Sequence, residues 1–489
     1  MTEIELKLAL PQDAGATLVQ TLTRTPLLAG CQRRRQPLLN VYYDTPDHQL
    51  LRHGMVLRLR RVGSGTRTTW LQTLKTGDGG ASALSRRGEW ESRLPGPALS
   101  AALLQTTPWH EIDPDGLVFA QLQPCFFTEF TRTRWTLPWP GGSVVEVALD
   151  LGRVVAGERQ VTIREIELEL KAGQASSLFD VAQQIAQVVA VIPSSTTKSE
   201  RGYALAGAHL VAGPANPPAP LALDALSQAV LQGAFRQFTR HLLALRADDD
   251  PEQVHQARVA WRRFRSARRL FGSVLQQPFP DIQAALLPLL DKLGAVRDLD
   301  VARTESLPPV ANAYVAGDPQ RAQQWKRMLG RLNRATAGLR MELHQVLDNP
   351  ATGLALLAVT QWLDALAGGH STGPDGDVAA PEPRAWAVRK MRAQRRKLRA
   401  ACASTDDADR IHQVRILAKR LRYGVDALRP LLSARRARRW HLLATRLQTG
   451  IGLQRDAVLA ATLVAALGGC MPIAEFLRGH IAGSTGTPG

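Results

Sequence analysis

Charged residues recur at every second position in one stretch after another of the first half of the chain, and this limits what it can fold into. Glu3, Glu5 and Lys7 alternate with Ile4 and Leu6, Arg58 and Arg60 with Leu57 and Leu59, and Arg132 precedes Arg134 by two. Glu146 and Asp150 flank Ala148, and Glu165, Glu167 and Glu169 repeat through EIELEL. In a β-strand this period puts the charges on one face. A single strand of this kind is ordinarily a solvated face. Five or more present a different problem, because they cannot all face water while the alternate residues alone fill a core. If the charged faces turn into a closed barrel, its lumen holds both carboxylates and cations. Such a lumen suits a metal–polyphosphate complex, with carboxylates for Mg²⁺ or Mn²⁺ and Arg and Lys for phosphate oxygens.

Residues 1–205 read as mostly β, with turns such as Pro140-Gly141-Gly142 between strands and helices expected at Gln12–Thr23 and Ser177–Val191. A Pro-rich stretch, VAGPANPPAPL, follows at 211–221. Beyond it the chain is Ala/Leu/Arg-rich with helical periodicity. Composition divides at the same place. Of the net +18, residues 220–489 carry +16, from 39 Lys+Arg against 23 Asp+Glu, and 34 of those cations are Arg. A polyanionic partner is implied, and Arg favours bidentate phosphate contacts. The four cysteines form no CxxC pair, which argues against a zinc site and a disulfide framework. No secretory signal is visible, and the apolar run Val458–Ala474 is broken by Gly468, Gly469 and Pro472, so the expected setting is cytoplasmic.

The helical half repeats itself. VHQARV at 254–259 matches IHQVRI at 411–416, and LGAVRDLDV at 293–301 matches TGIGLQRDAV at 449–458, aligning Arg297-Asp298 with Arg455-Asp456. Two similar helical bundles are expected, about 223–367 and 385–480, joined through the Gly/Pro/Asp-rich segment 368–384. On the first motif's helix His255, Arg258, Arg262, Arg265 and Arg269 form one stripe, and His412, Arg415, Lys419 and Arg422 repeat it. Stacked like charges repel on an isolated helix, so a polyanion is expected to offset them. Arg389–Arg399 and Arg435–Arg439 extend the basic surface.

The ExExK of Glu3, Glu5 and Lys7, with YYDTP at 42–46, LRLR at 57–60, the Lys75 strand, VEVALD and EIELEL, resembles the CYTH family, the triphosphate tunnel metalloenzymes, and most closely its bacterial inorganic triphosphatases. The resemblance implies an eight-stranded antiparallel barrel over 1–205, then a linker at 206–222. It implies divalent-metal-dependent hydrolysis of tripolyphosphate to diphosphate and phosphate, with Mg²⁺ or Mn²⁺ as cofactor. Glu3, Glu5, Glu146, Asp150, Glu165 and Glu167 would bind metal. Lys7, Arg58, Arg60, Lys75, Arg132, Arg134 and Lys198 would grip the triphosphate. Glu5, Lys7, Lys75, Glu146 and Asp150 would be catalytic. Arg86, Arg87, Glu89, Glu91, Glu169 and Lys171 are left facing outward or at the rim. Where relatives read Glu-x-Asp, this chain has Glu146-Val147-Ala148 with the acid at Asp150, which leaves the metal-holding and water-orienting carboxylates open.

The helical half resembles the CHAD family, the conserved-histidine α-helical domains. The overall expectation is thus an α+β, two-domain protein, its second domain, 223–480, all-α and built of two pseudo-symmetric four-helix bundles. That resemblance implies inorganic polyphosphate held in a basic cleft by the two stripes, with His255 and His412 as phosphate hydrogen-bond donors, and with it association with polyphosphate granules. Three alternatives stay open: a non-catalytic polyphosphate binder, an adenylate cyclase, and a nucleoside or thiamine triphosphatase. Nucleic acid is a further partner that phosphate contacts alone do not separate from polyphosphate.

Overall fold

A computed structural model describes residues 2–11, 17–65, 68–77, 82–208, 222–275, 277–368, 382–403 and 408–485, with side chains undescribed at 367–368, 408–410, 412, 449–454 and 482–485. The Pro-rich stretch 211–221, most of the joining segment 368–384 and the start of the helix expected at Gln12 lie outside these residues; that helix is seen over Leu18–Arg24.

The period-two segments are all strands: β1 Thr2–Ala9, β2 Arg33–Asp44, β3 Met55–Val62, β4 Thr69–Thr76, β5 Leu84–Leu94, β6 Gln123–Trp139, β7 Ser143–Ala156 and β8 Arg159–Ala172. They pair in the order β5-β4-β3-β2-β6-β7-β8-β1, and β1 closes the ring on β5, giving an eight-stranded antiparallel barrel. A two-residue strand, Ile192–Pro193, adds to β1.

Because most inward positions are charged, much of the apolar burial that drives folding lies outside the ring, and the inward Leu38, Tyr42, Phe126, Phe130 and Val154 form a separate apolar cluster. Leu6 and Leu8 point away from the lumen and join Trp135, Val147, Leu149, Ile166 and Leu168 in a core. The helix Ser176–Val188 covers it with Leu178, Phe179, Val181, Ala182 and Ile185, apolar at helical spacing. A second helix completes the cover from much later in the sequence. Residues 279–282 and 348–365 belong to the same compact unit as the barrel, and Leu357 is fully buried in this core. Gln361 accepts a hydrogen bond from Gln183 at 3.1 Å, and Asp364 takes both terminal nitrogens of Arg86, at 2.6 and 3.1 Å. The opposite side, around Leu57 and Leu74, is covered by Leu50, Leu104, Trp109 and Val118.

One end of the lumen is closed by rings. Tyr42 stacks on Phe126, which meets Tyr203 of the helix Lys198–Leu205 edge-on. That helix comes so close that a Cβ on Gly202 would lie 2.0 Å from the Phe126 ring. Asp44 of YYDTP ties the end down: its carboxylate accepts from Leu50 N, Leu51 N and Tyr203 Oη. Thr197 and Glu200 form a capping box that starts the helix at Lys198.

The second compact unit is helical, with helices Leu223–Ala247, Pro251–Leu270, Gln283–Val301, Pro319–Leu347, Pro383–Cys402, Ala408–Ala427, Ala434–Ala466 and Met471–Thr485. The two repeats share a core, in which Leu299, Met328 and Leu332 meet Ala460, Val464 and Ile473. Gly468 and Gly469, with φ of 58° and 63°, break the long apolar run between its two helices. Among the described residues no helix is long and apolar enough to cross a membrane.

Because Leu357 is interior to the barrel's outer core, Leu357→Ala is expected to cost about 2–5 kcal/mol. Amide exchange in β1 and β8 reads this directly, and protection unchanged from the parent chain would show that the contact does not matter. A chain ending at 208 is expected to lose protection in the same strands.

Candidate functional site

Inward-facing residues from all eight strands and the start of the helix Lys198–Leu205 line a cavity of about 740 Å³. Nine cations and seven carboxylates line it, so its net charge favours an anion. Strand register sets the rows. Glu5, Glu169 and Glu146 lie side by side across β1, β8 and β7; Lys7, Glu167 and Ala148 form the next row, then Glu165, Asp150 and Arg132.

Most of the charges form one continuous chain of ion pairs. Arg58 reaches Glu89 at 3.3 Å, and Glu89 meets Lys75 at 3.1 Å. Lys75 bonds Glu3 at 2.8 Å, and Glu3 also accepts from Arg87 Nε at 2.8 Å. Arg87 leads to Glu5 at 3.5 Å, Glu5 to Lys7 at 3.3 Å and Lys7 to Glu167 at 3.7 Å. Arg132 binds Asp150 through Nε and Nη2 at 2.8 and 2.7 Å and also bonds Glu167. Arg134 meets Glu146 at 3.5 Å.

Asp150, Glu165 and Glu167 bring oxygens within 4.8 Å of one another, a spacing that suits a metal ion. The Lys198 ammonium contacts all three, at 2.7 Å from Asp150 and Glu167 and against Glu165, and Arg201 takes the other Glu165 oxygen. Lys198 therefore already neutralises this trio. Burial would raise the Glu167 carboxyl, but Lys198, Arg132 and Lys7 outweigh it and hold it well below the usual range. Glu165 is lowered the same way by Arg201, Lys198 and Lys7. Burial and the like charges of Arg87 and Arg58 lower Lys75, despite Glu3 and Glu89. Glu169 behaves oppositely: burial raises it, and Glu3 and Glu146 add to the rise against the pull of Lys171.

All the residues expected for metal or triphosphate border the cavity except Asp150 and Glu165, which lie behind it in the Lys198 cluster. Five residues left at the rim or facing outward by the sequence, Arg87, Glu89, Glu91, Glu169 and Lys171, line it too. Their period-two spacing along β5 and β8 was the available signal. Arg86, one residue out of phase, points outward to Asp364. Arg201 and Asn40 carry no such signal, the first because it sits on a helix and the second because it is uncharged.

In the helical unit the two stripes converge. Arg258 lies close to Asp298, Arg262, Arg297 and Arg455, and Arg415 close to Arg455, Asp456, Arg262 and Asp298. The Arg258 guanidinium crosses the neighbouring helix at Gly294, where a Cβ would come within 2.7 Å of Nη1. Lys419 is surrounded by cations: burial and then Arg415, Arg262, Arg455 and Arg422 push its pKa down to about 7. Burial and Arg297 likewise lower His255. Arg265 and Arg269 are exposed, and the side chain of His412 is outside the described residues. Most of the Lys and Arg side chains of Arg389–Arg399 and Arg435–Arg439 are exposed, and Arg395 lies near Arg392, Arg399 and Arg439.

Family models match both parts: the CYTH domain over residues 1–203 and the CHAD domain over 229–465. The inorganic triphosphatase of Haemophilus influenzae is 35% identical over 210 residues, which are 42% of this chain and 55% of that protein, so the chain spans about half the length of this relative. Among solved structures, the CHAD domain of the plant Ricinus communis aligns at 26% identity and a TM-score of 0.46, covering 54% of this chain and 87% of that one. A putative adenylyl cyclase from Hippeastrum with a dominant triphosphatase activity aligns at 17% identity and a TM-score of 0.32, covering 43% of this chain and 98% of that one.

Lys198→Met leaves three buried carboxylates without their shared ammonium, an expected loss of about 3–5 kcal/mol near neutral pH. Because Glu165 and Glu167 titrate below their unfolded values, their contribution is full above the ordinary carboxylate range and falls away as pH drops through the folded values. The penalty should therefore shrink on acidification. Mg²⁺ or Mn²⁺ should raise the variant's melting temperature more than the parent's, and equal shifts would show that the trio takes no ion.

Proposed function

Residues 1–203 are a CYTH domain and residues 229–465 a CHAD domain, and from that premise we propose that the barrel hydrolyses tripolyphosphate while the helical unit holds inorganic polyphosphate. The observation that carries the first part is the cavity lining. Cations and carboxylates face one enclosed space in nearly equal number, which suits a polyanion that arrives with divalent metal.

The donor set fits Mg²⁺ or Mn²⁺, since the lining offers carboxylate oxygens and neither His nor Cys. Glu3, Glu5, Glu146 and Glu169 are the residues that would hold it. Burial raises Glu169 most, and the nearby Glu3 and Glu146 carboxylates add to the rise, which marks where carboxylates are drawn together. Asp150, Glu165 and Glu167, already satisfied by Lys198, Arg132 and Arg201, position those cations instead. The metal, when bound, neutralises phosphate oxygens and polarises the scissile phosphorus.

The chain's own residues do the rest. Phosphoryl transfer requires alignment and charge neutralisation more than covalent work. Arg58, Arg60, Lys75, Arg132 and Lys7 surround the phosphates, the guanidiniums as rigid forks and the lysines as point charges. A carboxylate of the Glu5–Glu169–Glu146 row orients water toward the terminal phosphorus and accepts its proton. Tyr42, Phe126 and Tyr203 pack together at the far end.

The helical unit works without exchange of partners. Arg258, Arg262, Arg415, Lys419 and Arg455 gather around Asp298 and Asp456, so their excess charge is open to a phosphate polymer.

Glu5→Gln is expected to reduce phosphate release from tripolyphosphate with Mg²⁺ by about 10²–10³ while leaving polyphosphate binding intact. Hydrolysis at the parent rate would overturn the assignment, and cyclic nucleotide made from ATP would replace it with cyclase activity. For the helical unit, a bound polyanion holds the proton on Lys419, whose free pKa is about 7. Polyphosphate affinity should therefore fall as pH rises past 7, and Lys419→Met should flatten that slope. Equal slopes in the two proteins would remove Lys419 from the binding surface.

A further inference from the structure

Arg60 differs from every other cation lining the barrel cavity. Lys7, Arg58, Lys75, Arg87, Arg132 and Lys198 each meet a carboxylate within the 4.0 Å of an ion pair, as do Arg134 and Lys171. Among the described residues, Arg60 meets none. Its Nε donates to Asn40 Oδ1 at 2.7 Å. Asn40 is fully buried, and its Nδ2 donates to Thr128 Oγ1, also at 2.7 Å and also fully buried.

Strand pairing builds this relay. Asn40 on β2 lies opposite Arg60 on β3 and opposite Thr128 on β6, so the three side chains stand in one inward row. The network fixes the amide: Arg60 can only donate, so Oδ1 must face it and Nδ2 must face the threonine. An uncharged acceptor thus holds the guanidinium at Nε and leaves both terminal nitrogens to the cavity. For stability alone, a carboxylate at position 40 would be the better partner, because a cation withdrawn from water without a counter-charge is costly. Burial, with Arg58 and Arg132 nearby, depresses Arg60 to about 10, and the more distant Glu91 counters only part of that.

We propose that Arg60, aimed by Asn40 and Thr128, is the tunnel's anchor for a phosphate anion, one that engages before and without divalent metal. The other cations are already held by carboxylates, and Lys7, Lys75, Arg87 and Arg134 are held by the very ones proposed to take the metal, which must take them over before those cations can turn to phosphate. Arg60 needs no such exchange. The identity of the anion rests on the triphosphate reading of the barrel; the anchor itself does not. Asn40 is a positioning residue that acts through Arg60.

The test is binding of inorganic tripolyphosphate to the full chain in EDTA by calorimetry, beside thermal melts. The parent should bind without metal, and Arg60→Gln should weaken binding by about tenfold or more, as loss of a charge-assisted contact would. Asn40→Asp keeps the shape, and the Thr128 hydroxyl can turn to donate to the new oxygen. It should weaken metal-free binding by a similar factor yet raise the melting temperature, because the buried cation gains its counter-charge. A purely structural role for Asn40 would lower stability and affinity together. Thr128→Val, which frees the amide, should fall between parent and Asn40→Asp in affinity. With Mg²⁺, Asn40→Asp should raise KM more than it lowers kcat. No metal-free binding by the parent, or equal binding by parent, Arg60→Gln and Asn40→Asp, would overturn the anchor even with hydrolysis intact. Metal-free binding in the expected order without any hydrolysis would keep the anchor and discard the hydrolytic reading.

Discussion

The barrel depends on one constraint: its interior is charged, so its folding energy must be found elsewhere. A ring of eight short strands with a dry centre would bury its own inward residues. Here those positions hold Glu5, Lys7, Arg132 and Glu167, whose mutual pairing largely offsets the cost of removing them from water and adds little beyond that. Many of the apolar residues are displaced to the outer surface, where Leu6, Leu8, Trp135 and Ile166 need a cover. The helix Ser176–Val188 supplies part of it and residues 348–365 the rest. The charged lumen, the outer core and the recruitment of a helix from far along the chain therefore share a single cause.

Much of this was legible in the sequence because a strand displays its alternation directly. Glu3-Ile4-Glu5-Leu6-Lys7 states which residues face in, and the same parity placed Arg58, Arg60 and Arg132 correctly on the cavity wall. The rule also separates Arg86 from Arg87, though in isolation the sequence of β5 did not show which of the two faced inward. Three features had no periodic signature. Asn40 is neutral in a row recognised by charge, and Arg201 enters from a helix rather than a strand. Leu357 lies on a helix read with its sequence neighbours in the helical half, and only tertiary packing puts it in the barrel's outer core. Local pattern reports which face is buried but not what buries it.

The two units treat positive charge in opposite ways. In the barrel nearly every cation has a carboxylate of its own, so the empty tunnel is close to self-neutralised. In the helical unit the repeat brings two like-charged stripes together, and Lys419 is driven toward losing its proton at neutral pH. Duplication accounts for that arrangement, since a stripe that faces its own copy meets the same sign. An unbalanced array attracts any phosphate polymer by the nearest route. A balanced circuit gives little attraction until some of its partners are removed.

That difference bears on why a tunnel would be built from pairs at all. A lumen of cations alone would bind triphosphate tightly and release diphosphate poorly, because ground state and transition state would be held alike. If carboxylates compete for the same cations, each Arg and Lys in the proposed reaction can move between an internal partner and a phosphate oxygen. Binding is then weakened where it would be wasted, and the net attraction depends on metal drawing the carboxylates away. Such a design still needs one contact that does not wait for the exchange, or the anion would meet only neutral pairs at the wall. A guanidinium held by an amide meets that need. It is fixed in direction, as the paired cations are, but it keeps the charge that they have given up.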